Sequence, residues 1–209
     1  ARRLMHPLEC YLEELDAIRS SGAVTKETSG YPALANLLNA AGALLKPKVR
    51  CFVHPRNSGA GNPDGGFFTQ EQWKQQRTEE PLGATLPARG VIEVKGVDEE
   101  IRNVADTRQV QEYAARYGLL LLTNFRDFLL LKRGKGGKPV PLETFHLADS
   151  EDSFWKAAAH PRKTADLLGE RFIEYLKRVL LHGAELNNPL DVAFFIASYS
   201  LDARARVEA

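Results

Sequence analysis

Three residues in this chain have the types and spacing for metal-assisted hydrolysis of a phosphodiester. Asp64 stands in Asn62-Pro63-Asp64-Gly65-Gly66, just before the apolar run Phe67-Phe68-Thr69. Glu93 and Lys95 stand two apart in Gly90-Val91-Ile92-Glu93-Val94-Lys95-Gly96. Side chains alternate along a strand, so Glu93 and Lys95 share one face while Ile92 and Val94 point into a core. Charged side chains seldom sit in a β-branched strand unless they are used. Two carboxylates hold a hard divalent cation. The cation and a lysine then activate water and neutralise charge on the phosphate.

The elements around these residues follow from periodicity. Apolar positions Leu8, Tyr11, Leu12, Leu15 and Ile18 predict a helix over 7–21, and a second runs over 31–45 with Pro32 in its first turn. Strands are predicted at 49–53, 67–69, 91–95, 119–123 and 128–132, with another at 142–146. Residues 55–66 read as a turn and 70–88 as a long polar connection. A helix is expected over 104–117, ended by Gly118 in a left-handed cap. Beyond 150 the period stays helical, giving helices at 153–159, 164–181 and 190–207. The expected organisation is an α/β domain over 1–150 and a helical connector over 151–209, with the boundary near 148–153.

The order helix, three strands, helix, strand, with Pro63-Asp64 and Glu93-Val94-Lys95 inside it, resembles the restriction-endonuclease-like PD-(D/E)xK nuclease superfamily. Gln109-Val110-Gln111-Glu112-Tyr113 matches the Gln-x-x-x-Tyr that some branches carry on the next helix. At i and i+4 those two side chains share one helical face. The run Thr107–Arg133 resembles the amino-terminal nuclease region of large single-chain restriction–modification enzymes. The resemblance implies a mixed central sheet flanked by helices, followed by a helical extension. It implies Mg²⁺, for which Mn²⁺ can substitute, held by Asp64, Glu93, the Val94 carbonyl and Glu27. It assigns Lys95 to the attacking water or transition state, Gln109 to positioning and Tyr113 to the phosphate. The implied partners are double-stranded DNA, a second copy for double-strand cleavage, and downstream helical, adenine-N6 methyltransferase and target-recognition domains. A prokaryotic cytoplasmic location goes with them. The start at Ala1 and the stop within a helical, alternating-charge segment likewise suggest a segment of a longer polypeptide.

The remaining features exclude more than they add. The 209 residues carry a net charge of +1, so any surface for nucleic acid must be local. Hydrophobic content of 44% and charged content of 26% are those of an ordinary globular protein. No apolar run has membrane-spanning length. Cys10 and Cys51 fit no zinc spacing and read as buried free thiols in a reducing compartment. The five histidines form no ligand pattern. Lys132, Arg133, Lys135 and Lys138 surround Gly134, Gly136 and Gly137. They read either as a hairpin turn with solvated charges or as a contact to the DNA backbone, and lack the order of a nucleotide-binding loop. Asn187-Asn188-Pro189-Leu190 fails as a methyltransferase motif and reads as a helix start. A ribonuclease, and a non-catalytic DNA-binding or structural module on the same fold, are the competing readings.

Overall fold

The computed structural model describes residues 4–22, 28–53, 63–75, 86–183 and 189–208. Glu27 and His54 lie outside them. Two helices, α1 (Pro7–Ser20) and α2 (Tyr31–Ala43), precede β1 (Val49–Val53) and β2 (Gly65–Thr69). Then come α3 (Gln70–Gln75), β3 (Val91–Val94), α4 (Ile101–Ala105), α5 (Arg108–Tyr117), β4 (Leu119–Thr123), β5 (Asp127–Arg133) and β6 (Pro139–His146). Three helices close the chain: α6 (Glu151–Ala158), α7 (Pro161–Leu181) and α8 (Pro189–Val207).

The six strands form one mixed sheet in the order β1-β2-β3-β4-β5-β6. All neighbours are antiparallel except β3 and β4, which run parallel. A parallel pair needs a crossover, and α4 with α5 supplies it. The central strands β3 and β4 are covered on both faces, as their sequences require. In β4, Leu121 joins the cluster under α1, α2, α6 and α7, while Leu120 and Leu122 join the cluster under α4 and α5. β3 divides the same way: Ile92 and Val94 enter the larger cluster and Val91 the smaller. Glu93 is therefore on the α4–α5 face.

Three expectations need correction. Part of the polar connection after β2 is helical: α3 has no apolar period, but its Gln72 stitches the loop to the sheet. The Gln72 side chain accepts from the backbone of Thr69 and Ala88 and donates to the Leu86 carbonyl. The helix expected over 104–117 is two helices, broken at Asp106-Thr107, where the Thr107 side chain turns back to the Val104 carbonyl at 2.8 Å. Cys51 is buried, which raises its thiol pKa to about 12, but Cys10 is only partly buried. Gly118 does take a positive φ of 80°, which lets the chain reverse from α5 straight into β4.

The interior continues across the boundary drawn near residue 150. Phe172, Tyr175, Leu176 and Val179 of α7 are buried in the same cluster as Leu8, Leu12, Phe128 and Phe145. Phe172 meets Phe128 edge-on at 4.9 Å, and the Tyr175 hydroxyl donates to the Phe128 carbonyl at 2.9 Å. α8 is attached differently. Arg178 of α7, 2% exposed, donates to Glu143 of β6 at 2.9 Å and to the Ser198 hydroxyl of α8 at 2.7 Å. Tyr199 of α8 donates to the same Glu143 at 2.6 Å. Ile196, Tyr199 and Leu201 meanwhile stay exposed. Among the described residues, no helix is long and apolar enough to cross a membrane.

Candidate active site

The motif residues meet where β2 and β3 part. The pairing sets Gly65 opposite Ile92 and Gly66 opposite Val91. The pairing ends at Gly65–Ile92, one residue short of Asp64 and Glu93. The ladder stops there because a side chain takes over from the main chain: the Val94 N–H donates to Asp64 Oδ2 at 2.8 Å. Asp64 is thereby fixed to the backbone of the Glu-x-Lys strand itself.

Glu93 is 2% exposed, and Lys95 reaches it with Nζ 2.8 Å from Oε1. The two side chains do share a face, as alternation requires. Burying a carboxylate costs several kcal/mol unless a cation and hydrogen bonds answer it. Lys95 supplies that charge here, and its side chain keeps 18% of its exposure. The amine can therefore reach a solvent-borne ligand without losing Glu93.

Above this pair lies α5. Tyr113 is 2% exposed and accepts from Gln109 Nε2 at 3.1 Å. Burial raises its phenol pKa, the bond from Gln109 opposes this, and the negative charges of Glu93 and Asp64 raise it further. Tyr113 packs with Val91 in the cluster under α4 and α5, the face to which Glu93 belongs. The phenol stays protonated at neutral pH, and with Gln109 donating to its oxygen, its own proton is available to donate. Gln109 thus acts on Tyr113 in this structure. Three contacts are thus in place: Asp64 on the Val94 backbone, Lys95 on Glu93, and Gln109 on Tyr113.

The basic residues of the β5–β6 hairpin stand apart from these. Lys132, Arg133, Lys135 and Lys138 are all exposed. Lys132 pairs with Leu119, whereas Lys95 follows the Val94–Thr123 pair at the opposite ends of β3 and β4. Five residues at about 3.3 Å each put Lys132 on the order of 16 Å from Lys95 along the strand direction. The hairpin's charges therefore stand at the other end of the sheet from Glu93 and Lys95.

No protein-family model and no curated protein matches this chain. Among solved structures, a chain of the cryo-EM structure of the DrdV–DNA complex is similar. The TM-score is 0.52 and the identity 16%, over 88% of this chain. This chain spans 14% of the length of that one. At that identity the likeness shows a common fold: a mixed sheet flanked by helices, within a much longer polypeptide.

The donor set suits a hard cation. Two carboxylates and the neighbouring Val94 carbonyl are all oxygen, as Mg²⁺ prefers, and Mg²⁺ retains several waters, so few protein ligands suffice. Among the described residues, no group of three or more His, Cys, Asp or Glu side chains is gathered for a metal. Glu27, the expected third carboxylate, lies outside those residues.

The pairing of Lys95 with Glu93 makes a prediction of its own. Lys95→Met removes the cation beside a buried carboxylate and is expected to lower stability by about 3 kcal/mol. In a Glu93→Gln background the same substitution should cost less than about 1 kcal/mol, because no charge is left to answer. Urea denaturation of the four proteins measures the difference. Equal costs in both backgrounds would mean that Lys95 contributes nothing to holding Glu93.

A second polar group at this end of the sheet was not foreseen. Asn124 and Arg126 between β4 and β5, and Asp127 at the start of β5, are buried, and Asp127 Oδ1 lies 2.6 Å from His146 Nδ1. The available signal was the adjacent Arg-Asp pair in a connection only three residues long.

Proposed function

We propose that this chain is a Mg²⁺-dependent DNA endonuclease domain of the PD-(D/E)xK type, working within a restriction–modification enzyme. The observation that carries the reading is Asp64 bound to the Val94 N–H at 2.8 Å, on the strand where Lys95 Nζ lies 2.8 Å from Glu93. The fold shared with a segment of a protein solved on DNA supports it.

In this reading Asp64, Glu93 and the Val94 carbonyl would hold the cation, with Glu27 completing the set. Bound there, Mg²⁺ supplies a water of lowered pKa and positive charge for the phosphate. Lys95 adds a positive charge next to the reacting phosphorus and steers the attacking water. Tyr113 donates its phenol proton to a phosphate oxygen, and Gln109 fixes the phenol. One such centre cuts one strand, so a double-strand break takes two copies. The exposed apolar residues of α8 make it the start of a connector towards methyltransferase and target-recognition domains. An enzyme of that kind works in a prokaryotic cytoplasm.

Incubation of the full chain with supercoiled plasmid and Mg²⁺ tests the proposal. Nicked and then linear DNA should accumulate, and excess chelator should stop the reaction. A folded chain that retains DNA but leaves it intact with Mg²⁺ or Mn²⁺ would make the domain a non-catalytic module. Cleavage confined to RNA would make it a ribonuclease.

A further inference from the structure

The connection between β4 and β5 is built more heavily than a hairpin needs. Asn124, Phe125, Arg126 and Asp127 are each at most 4% exposed. Phe125 has a φ of 71°, a conformation that a bulky residue adopts only when its surroundings hold it there. Several contacts do so. The Phe125 N–H donates to Thr123 Oγ1 at 3.1 Å, and its carbonyl accepts from the Tyr11 hydroxyl at 2.9 Å. Its ring lies where a Cβ on Gly30 would stand, 2.5 Å away, so position 30 must be glycine for the ring to fit.

This braced turn grips the segment that follows the Glu-x-Lys strand. The Lys95 N–H donates to the Thr123 carbonyl at 2.8 Å. Asn124 Nδ2 donates to the Glu99 carbonyl at 2.7 Å. Arg126 Nε donates to the Val97 carbonyl at 3.1 Å, and its Nη2 to Glu100 at 2.9 Å. Behind the guanidinium, Asp127 Oδ2 lies 3.1 Å from Nη1 and also accepts from Asn124. Residues 95–100 thus hang from the end of β4 by their backbone at three points, two of them side-chain donors. A guanidinium can serve a carbonyl and two carboxylates at once because its donors are fixed in a plane. The ammonium of a lysine cannot reproduce that fork.

We propose that Arg126, with Asn124, is a positioning residue. By fixing the carbonyls of Val97 and Glu99 it holds Lys95 at the place where the amine meets Glu93. The catalytic consequence rests on the nuclease reading above; the mechanical claim does not.

Two readouts keep them apart. Amide hydrogen exchange on the intact chain should show Lys95 and Glu99 exchanging at least about 10-fold faster in Arg126→Lys and Asn124→Ala, with β4 amides unchanged. In the plasmid assay the same variants should lose on the order of 100-fold in kcat per folded molecule, with KM for DNA unchanged, because a misplaced lysine still lets DNA bind. Should Arg126→Lys fail to fold, Asn124→Ala decides. Folded variants with wild-type exchange at Lys95 and Glu99 would overturn the proposal. So would faster exchange with kcat intact in an active protein. An inactive wild-type chain would sink the nuclease reading, and exchange alone would then judge the positioning claim.

Discussion

Asp64→Asn and Glu93→Gln are each expected to lower DNA cleavage by about 10³-fold while leaving the protein folded. Both amides keep the size and an acceptor oxygen of the native side chain but lose the charge that a divalent cation requires. At Asp64 the conservative change matters. The carboxylate accepts the Val94 N–H at 2.8 Å, the bond that closes the β2–β3 ladder. The amide oxygen of asparagine can accept it equally well, whereas alanine would leave that N–H unsatisfied at a cost of about 1–3 kcal/mol. At Glu93 the argument runs the other way. The side chain is 2% exposed and needs Lys95 to offset its charge, so glutamine removes a burden and stability should hold or rise. Initial rates of plasmid cleavage at saturating Mg²⁺, read beside urea denaturation, separate the two effects. Either variant cutting within about 10-fold of the wild type would take that carboxylate out of the metal site.

How much of this was legible in the chain depends on how local the cause is. Alternation placed Ile92 and Val94 inward and Glu93 with Lys95 on the other face, and the structure agrees. The i, i+4 spacing of Gln109 and Tyr113 foretold a common helical face, and they bond at 3.1 Å. The failures are non-local. Which end of the sheet the basic hairpin caps is not written in Lys132–Lys138; it follows only from the strand directions. α3 escaped because a helix tied down by one glutamine side chain shows no apolar stripe. The buried turn at Asn124–Asp127 left no local mark because its partners, Val97, Glu99 and Tyr11, lie 25 or more residues away. The change to helical period after residue 150 was visible, but period does not say what a helix packs against.

That last point carries the second large effect. A chain ending at residue 150 is expected not to fold, whereas one ending at residue 183 should. The shorter chain lacks Phe154, Phe172, Tyr175, Leu176, Val179 and Leu180, each at most 2% exposed. Truncating one large core side chain costs about 3–5 kcal/mol, and a whole domain is stable by about 5–15 kcal/mol. Loss of the set exceeds that margin and also uncovers Leu8, Leu12, Phe128 and Phe145. The longer chain keeps all of them and loses only α8. Arg178 then gives up the Ser198 hydroxyl but retains Glu143 at 2.9 Å, so the cost should be near that of one hydrogen bond to a charged group, about 1.5–3 kcal/mol. Near-ultraviolet circular dichroism and urea denaturation of both chains distinguish the cases. A cooperative transition in the chain ending at 150 would make α6 and α7 an appendage after all, and the connector would begin where the sequence period changes. Cooperative folding only in the chain ending at 183 would make α6 and α7 part of the domain and leave that role, among the described residues, to α8, tied by Arg178, Glu143 and Tyr199.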